Sequence, residues 1–238
     1  MALASLSQTG ISQSTIRGPR GVFVPQTRTF EMLDDFITSS ASATAGVSTW
    51  DATTPTGATI PHADGAGGGI ALTNDGTDDD ETMIELNNEF ILPSTTKRLM
   101  FETRLKTNTI ATAEIFAGLT VAGTGLGNGT ATPQATDHVG FFTETDSAID
   151  CGYSDGSTQT QVDTGSVLVA DTYVTLGFEF GPHLAANTWK FYVDGDLATT
   201  QTATTIPNQE MTILLGCRNG TDSAHILTIQ YVYLLIDL

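Results

Sequence analysis

Charge is scarce in this chain, and positive charge scarcer still. Only 15% of its 238 residues are charged, with 9 Lys+Arg against 27 Asp+Glu and a formal net charge of −18. Soluble proteins average roughly 25% charged residues. A body this acidic repels nucleic acid and anionic lipid, so neither is expected as a partner. Long apolar runs are missing as well. No window approaches the ~18 apolar residues that a membrane-crossing helix needs. The opening MALASLSQTG has neither the charged start nor the apolar stretch of a secretory signal. Cytoplasmic synthesis without export is therefore the expectation. Cysteine is reduced to Cys151 and Cys217. Both fall in predicted strands and could pair, but isolated cysteines are among the most buried residues, and two buried free thiols is the favoured reading. Helical periodicity is absent too, which disfavours α/β folds.

What the chain has in quantity is threonine, 41 of them, and 24 glycines. Threonine is β-branched and favours strands, while glycine supplies turns. With 39% hydrophobic residues the chain can bury a sizeable core. From Phe30 onward it alternates. In RLMFETRLK, Leu99, Phe101, Thr103 and Leu105 share one face, and Met100, Glu102, Arg104 and Lys106 the other. Val174, Leu176, Phe178 and Phe180 share a face in the next clear strand. In TWKFYVDGD, Trp189, Phe191 and Val193 point one way, and Asp194-Gly195 supplies a positive-φ hairpin turn. Strand candidates recur every 8–15 residues with turn signals between them, the spacing of a two-sheet sandwich or barrel. Residues 41–68, rich in Gly, Ala and Thr, read as a long loop anchored by Trp50.

Residues 1–29 differ from the rest. They carry Arg17, Arg20 and Arg28 without one acidic residue, which leaves six cations against 27 acids, a net −21, on the remainder. Single apolar residues between Gly, Pro, Ser and Gln suit an extended arm. Arg17, Arg20, Phe23 and Arg28 are its candidate partner contacts, the arginines for orientation and the phenylalanine for burial. An arm folded back along its own body is the competing expectation.

The order KRLMFETRLK, EIFAGLT, HVGFFT, YVTLGFEF, NTWKFYVDGDLATTQT, MTILLGCRNG and HILTIQYVYLLI resembles the concanavalin A-like, laminin-G-like jelly rolls. The opening DDFI strand with its Gly/Ala-rich loop resembles modules of phage structural proteins. The resemblance spans roughly residues 30–238. It implies an all-β fold, a two-sheet antiparallel jelly-roll sandwich preceded by the arm. It also implies a non-enzymatic virion component, a capsid decoration or accessory protein that binds capsid protein or further copies of itself. The alternative is a carbohydrate-binding, lectin-like module for host or mucus glycans.

Candidate chemistry is thin. GYSDG at residues 152–156 spells the G-x-S-x-G of a nucleophile elbow, but the alternating STQTQVDTGS after it has no helical face, so Ser154 reads as a turn residue. Some concanavalin-like relatives are glycoside hydrolases, which set carboxylates at alternate positions of one strand. The pair weighed here is Glu85 and Glu89, with a non-acidic residue at 87 and a spacing of ~13 Å at the strand rise, too wide for either mechanism. No enzyme activity is expected. Asp75, Asp78 and Asp80 in an acidic turn could hold calcium, yet the run does not match an EF-hand, and a solvated turn explains it. His62, His138, His183 and His225 are scattered and form no zinc motif; His138 and His225 are expected to be satisfied at strand starts. Lectin sites stack sugars on exposed aromatics near acidic or amide groups. Trp50, in its loop, is the candidate platform, with Tyr153, Tyr173, Tyr192, Tyr231 and Tyr233 as others.

Overall fold

The computed structural model describes residues 10–12, 29–37, 41–42, 49–63, 68–110, 112–126, 136–144, 147–220 and 224–237. Among these residues there is no helix, and the strands form two sheets. The first runs β1 (Gly10–Ser12), β2 (Thr29–Asp34), β16 (Ile226–Asp237), β7 (Leu99–Thr107), β12 (Val174–Phe180), β13 (Thr188–Val193) and β14 (Asp196–Thr202), with β5 (Ile70–Thr73) also paired to β16. The second runs β11 (Gln159–Val167), β10 (Ala148–Asp155), β9 (Asp137–Thr143), β8 (Ala113–Thr120), β15 (Thr212–Asn219), β6 (Glu81–Leu86), β4 (Trp50–Thr53) and β3 (Ala41–Ser42). Every pairing but β3–β4 is antiparallel. The chain is a two-sheet jelly-roll sandwich: the alternation pointed to a sandwich or barrel, and the family resemblance implied the jelly roll.

The period-two pattern explains why the sheets face each other. Leu99, Phe101, Thr103 and Leu105 are buried while Met100, Glu102, Arg104 and Lys106 are half-exposed, so β7 alternates along its whole length. An aromatic spine joins the sheets. From the first sheet, Trp189 stacks on Phe180 at 4.3 Å and on Tyr153 of the second sheet at 6.3 Å. Phe191 meets Phe141 edge-on at 5.5 Å. Each such ring contributes on the order of 1.5–3 kcal/mol through burial. Asp194 and Gly195 both take positive φ, 51° and 84°, which gives the expected β13–β14 turn.

Two departures from the sequence reading matter. The stretch read as a long loop contains β3 and β4, too short for periodicity to register. Within the expected arm, β1 pairs with β2, Gly10 opposite Glu31, so at this point the arm runs along its own body. Arg17, Arg20, Phe23 and Arg28 lie outside the described residues.

Candidate functional site

Ser154 sits at the end of β10, and β11 begins at Gln159 with no helix between. Its Oγ accepts the Gly156 N–H at 3.1 Å, and Gly156 takes φ 80°. Asp155 Oδ1 accepts the Ser157 and Thr158 N–H groups at 3.0 and 2.9 Å. Those bonds, with the Ser157 hydroxyl foremost, hold its carboxyl well below the usual carboxylate range. G-Y-S-D-G is a capped hairpin turn, as expected.

Trp50 corrects the sugar-platform expectation. It lies in β4, not in a loop, and is fully buried. Its Nε1–H donates to Asp34 Oδ2 at 2.8 Å and its ring packs on Phe36 at 5.4 Å. A ring enclosed by core has no face to offer a ligand. Tyr153 is buried too, against Trp189. Cys151 and Cys217 are both buried free thiols, and burial pushes each up to about 12.

In the acidic turn, Asp78 is exposed and Asp75 is bonded to the Thr77 amide at 2.9 Å. That amide, chiefly, lowers the Asp75 carboxyl, whereas desolvation and the neighbouring Asp75 raise Asp80. Among the described residues no three His, Cys, Asp or Glu side chains converge to hold a metal. His225 is satisfied by Thr112 Oγ1 at 2.8 Å and the Arg218 carbonyl at 3.4 Å. His138 is only half satisfied: Nδ1–H donates to the Thr136 carbonyl at 3.0 Å, while buried Nε2 has no partner among the described residues. Burial drops its pKa to about 4.

The outer face of the second sheet holds the first candidate site. Glu81, Met83 and Glu85 alternate outward along β6, and Asp51 and Thr53 stand opposite Glu85 and Met83 on β4. The segment after β8 crosses above them. Glu81 Oε2 accepts the Leu126 N–H at 2.9 Å, Glu85 Oε2 the Gly123 N–H at 2.9 Å, and Glu89 Oε1 the Ala122 N–H at 2.5 Å. Beneath lies a cavity of about 110 Å³ lined by the three β6 side chains, Asp51, Thr53, Thr124 and Leu214. Met83, Leu214, Phe116 and Phe142 form a second apolar cluster with Leu126. Gly118 and Gly140, paired across β8 and β9, leave room for the Phe116 ring: a Cβ on either would stand 3.1 Å from it. The Glu85–Glu89 pairing weighed from sequence does not occur on one strand. Glu89 lies past the end of β6, beyond Asn88 at φ 132°. Glu81 is the residue that shares the strand face with Glu85. The i,i+4 spacing that flagged 85 and 89 also occurs at 81 and 85, and that signal was there to find.

The outer face of the first sheet holds the second. Tyr192, Gly177, Glu102 and Tyr233 lie side by side across β13, β12, β7 and β16. Tyr192 donates its hydroxyl to Glu179, Tyr231 donates to Glu102 at 2.6 Å, and Tyr233 to Glu31 at 3.1 Å. Burial, helped by these carboxylates, raises Tyr192 and Tyr231 to about 12. Gly177 leaves an open groove of about 470 Å³ between the rings. Arg104 and Lys106 lie over the Tyr173 ring at 4.8 and 5.1 Å.

No family model matches the chain, and no curated protein matches it either. Solved structures do. A protein of unknown function from Shewanella oneidensis MR-1 aligns with a TM-score of 0.63 at 15% identity, covering 90% of this chain and 88% of that one. The carbohydrate recognition domain of Emp47p aligns at 0.59 and 12%, covering 86% and 93%. An endo-1,3-β-glucanase from Streptomyces sioyaensis aligns at 0.57 and 15%, covering 99% of both chains. At these identities the likeness is one of fold: the jelly roll of lectin domains and glucanases. It carries nothing about a place in a virion.

Proposed function

We propose that the chain is a carbohydrate-binding module that holds a saccharide in the cleft of the second sheet without cleaving it. The observation that carries this reading is the row Glu81–Met83–Glu85 facing Asp51 and Thr53 over a cavity of about 110 Å³. Carboxylates accept hydrogen bonds from sugar hydroxyls, and threonine hydroxyls both donate and accept. A jelly roll shared with a carbohydrate recognition domain and a glucanase supports the ligand class.

Binding is favoured over hydrolysis by what the row has at its centre and by what its ends do. Glycosidases of this type set acids at alternate positions, and here the middle position is Met83. Glu81 and Glu85 each already accept a backbone amide from the crossing segment. A general acid has to deliver a proton, and a carboxylate fixed as an amide acceptor is poorly placed for that role. Titration calorimetry with β-1,3- and β-1,4-linked gluco-oligosaccharides tests the reading, alongside an assay for new reducing ends. Saturable binding that falls about tenfold or more in Glu85→Gln, with no product formed, is the expected result. Turnover abolished by Glu81→Gln would replace the module with an enzyme, and binding indifferent to both variants would move the site elsewhere.

A further inference from the structure

We infer that the groove on the opposite face of the sandwich is a second ligand site, and that it takes a neutral, hydroxyl-rich chain, an oligosaccharide laid across the strands between Tyr192 and Tyr233. This site is independent of the cleft on the second sheet and does not require it.

Its walls are pre-set. Tyr192 and Tyr233 are each fixed at the hydroxyl end by a carboxylate, Glu179 and Glu31, so that each ring has little freedom left to lose on binding. An aromatic ring with a tethered polar tip offers an apolar face to the apolar face of a sugar ring and a polar rim to its hydroxyls. The two tyrosines stand three strand spacings apart, roughly 14 Å at ~4.8 Å per step. That span suits an extended oligomer and exceeds a single sugar ring.

The floor is a missing side chain. Gly177 lies between Tyr192 on β13 and Glu102 on β7. A Cβ there would stand 3.1 Å from the Phe101 carbonyl oxygen and 3.6 Å from Glu102 Cγ, and it would rise into the groove. Thr175 and Met100 complete the lining.

Charge selects the ligand class. Glu179 is matched by His183 at 2.9 Å, Lys190 at 3.7 Å and the Tyr192 hydroxyl. Glu102 accepts from the Tyr231 hydroxyl, and Arg104, two residues along the same strand, donates to Gln230 at 2.6 Å. Glu102 and Glu31 bond only neutral tyrosine hydroxyls, so an anionic ligand would meet repelling carboxylates while a neutral one would meet hydrogen-bond acceptors. What is left over is hydrogen-bonding capacity: Glu102 Oε2 makes no bond among the described residues. Such capacity suits hydroxyl groups.

The test uses the full chain, titrated with laminarihexaose, cellohexaose and maltohexaose, and with oligoglucuronate as the anionic probe. One neutral hexasaccharide should bind with an affinity unaffected by added salt, and oligoglucuronate should not compete. Tyr192→Ala and Tyr233→Ala should each weaken that binding about tenfold, whereas Glu81→Gln and Glu85→Gln on the other sheet should leave this component unchanged. Gly177→Val, with unaltered circular dichroism and melting temperature, should abolish it by filling the floor; if Gly177→Val unfolds, the two tyrosine variants decide alone. Absence of saturable binding by all three neutral probes would overturn the inference. So would binding lost only in the Glu81 and Glu85 variants, which would leave the cleft of the second sheet as the sole site. Tyrosine variants that abolish self-association without affecting any saccharide would overturn it too, making this face a contact between copies.

Discussion

The outer faces of the two sheets start from the same alternation and end as different surfaces. On the first sheet the outward positions of β7 are Met100, Glu102, Arg104 and Lys106, all half-exposed, and their neighbours mix Glu179, Lys190 and Glu31 with tyrosines. On the second sheet the outward positions of β9 are His138, Gly140 and Phe142, and all are buried. Phe116 and Leu214 beside them are buried as well, with Leu126 packed upon them. Period two decides which residues leave the core. It does not decide whether they reach water, because that depends on which segment crosses above. The first face is free to meet a ligand broadly. The second has become a second core over β8, β9 and β15, with the acidic cleft over β6 beside it.

If that contrast is right, one aromatic from each outer face should behave as though it came from a different protein. Phe116→Ala should cost about 3–5 kcal/mol, the range for truncating a phenylalanine in a packed interior. Its ring is fully buried and fills the space left by Gly118 and Gly140. Tyr233→Ala, outward on β16, should cost about 1 kcal/mol or less. Urea unfolding of both variants at one pH is the measurement. Comparable losses would mean that the first face is covered in solution.

A smaller effect separates the faces by pH. His138 belongs to the covered face, and burial holds its pKa at about 4 against 6.5 for an exposed histidine. The unfolded chain takes up this proton first as pH falls. The stability that neutral His138 contributes is therefore complete above pH 6.5 and is lost as pH falls toward about 4, by up to about 3 kcal/mol. His138→Gln should flatten that part of the stability–pH profile. A profile unchanged by His138→Gln would show that its Nε2 is in contact with water.

Much of this was legible in the letters, and the gaps have physical causes. The β7, β12 and β13 faces follow from alternation alone, since each puts large apolar residues on one parity. The β13–β14 turn follows from Asp194-Gly195, because few other pairs accept two positive φ angles. Trp50 was misplaced because a four-residue strand is too short to show a period, and because its buried Nε1–H finds Asp34 sixteen residues away. The Glu81–Glu85 row was overlooked although its spacing was visible; what could not be seen was that Asn88 ends the strand face before Glu89. The crossing segment is invisible for another reason. Three backbone amides meeting three carboxylates leave no trace in the composition of residues 121–126. The tyrosine row likewise depends on register between β13, β12, β7 and β16, which no single strand encodes.

The smallest effect is expected at Lys190, and it tests whether the first face is a solvated surface. Lys190 pairs with Glu179 at 3.7 Å, each side chain partly exposed. Burial pushes the Glu179 carboxyl up, but the bonds from Tyr192 and His183, with Lys190 after them, bring it below its ordinary value. Removing Lys190 takes away the weakest of those contributions and leaves both hydrogen bonds in place. Lys190→Ala should therefore change stability by no more than ~0.5 kcal/mol, as for other exposed ion pairs, and added salt should erase the difference. A folded-state Glu179 below its unfolded value adds stability above the ordinary carboxylate range, and this is lost as the solution is acidified. Lys190→Ala should narrow that acid-side loss only slightly. A cost above about 1.5 kcal/mol at neutral pH would mean that the pair is desolvated, since only a sheltered charge is worth that much. The groove beside it would then be closed to solvent, and the contrast between the two faces would fail at the face argued to be open.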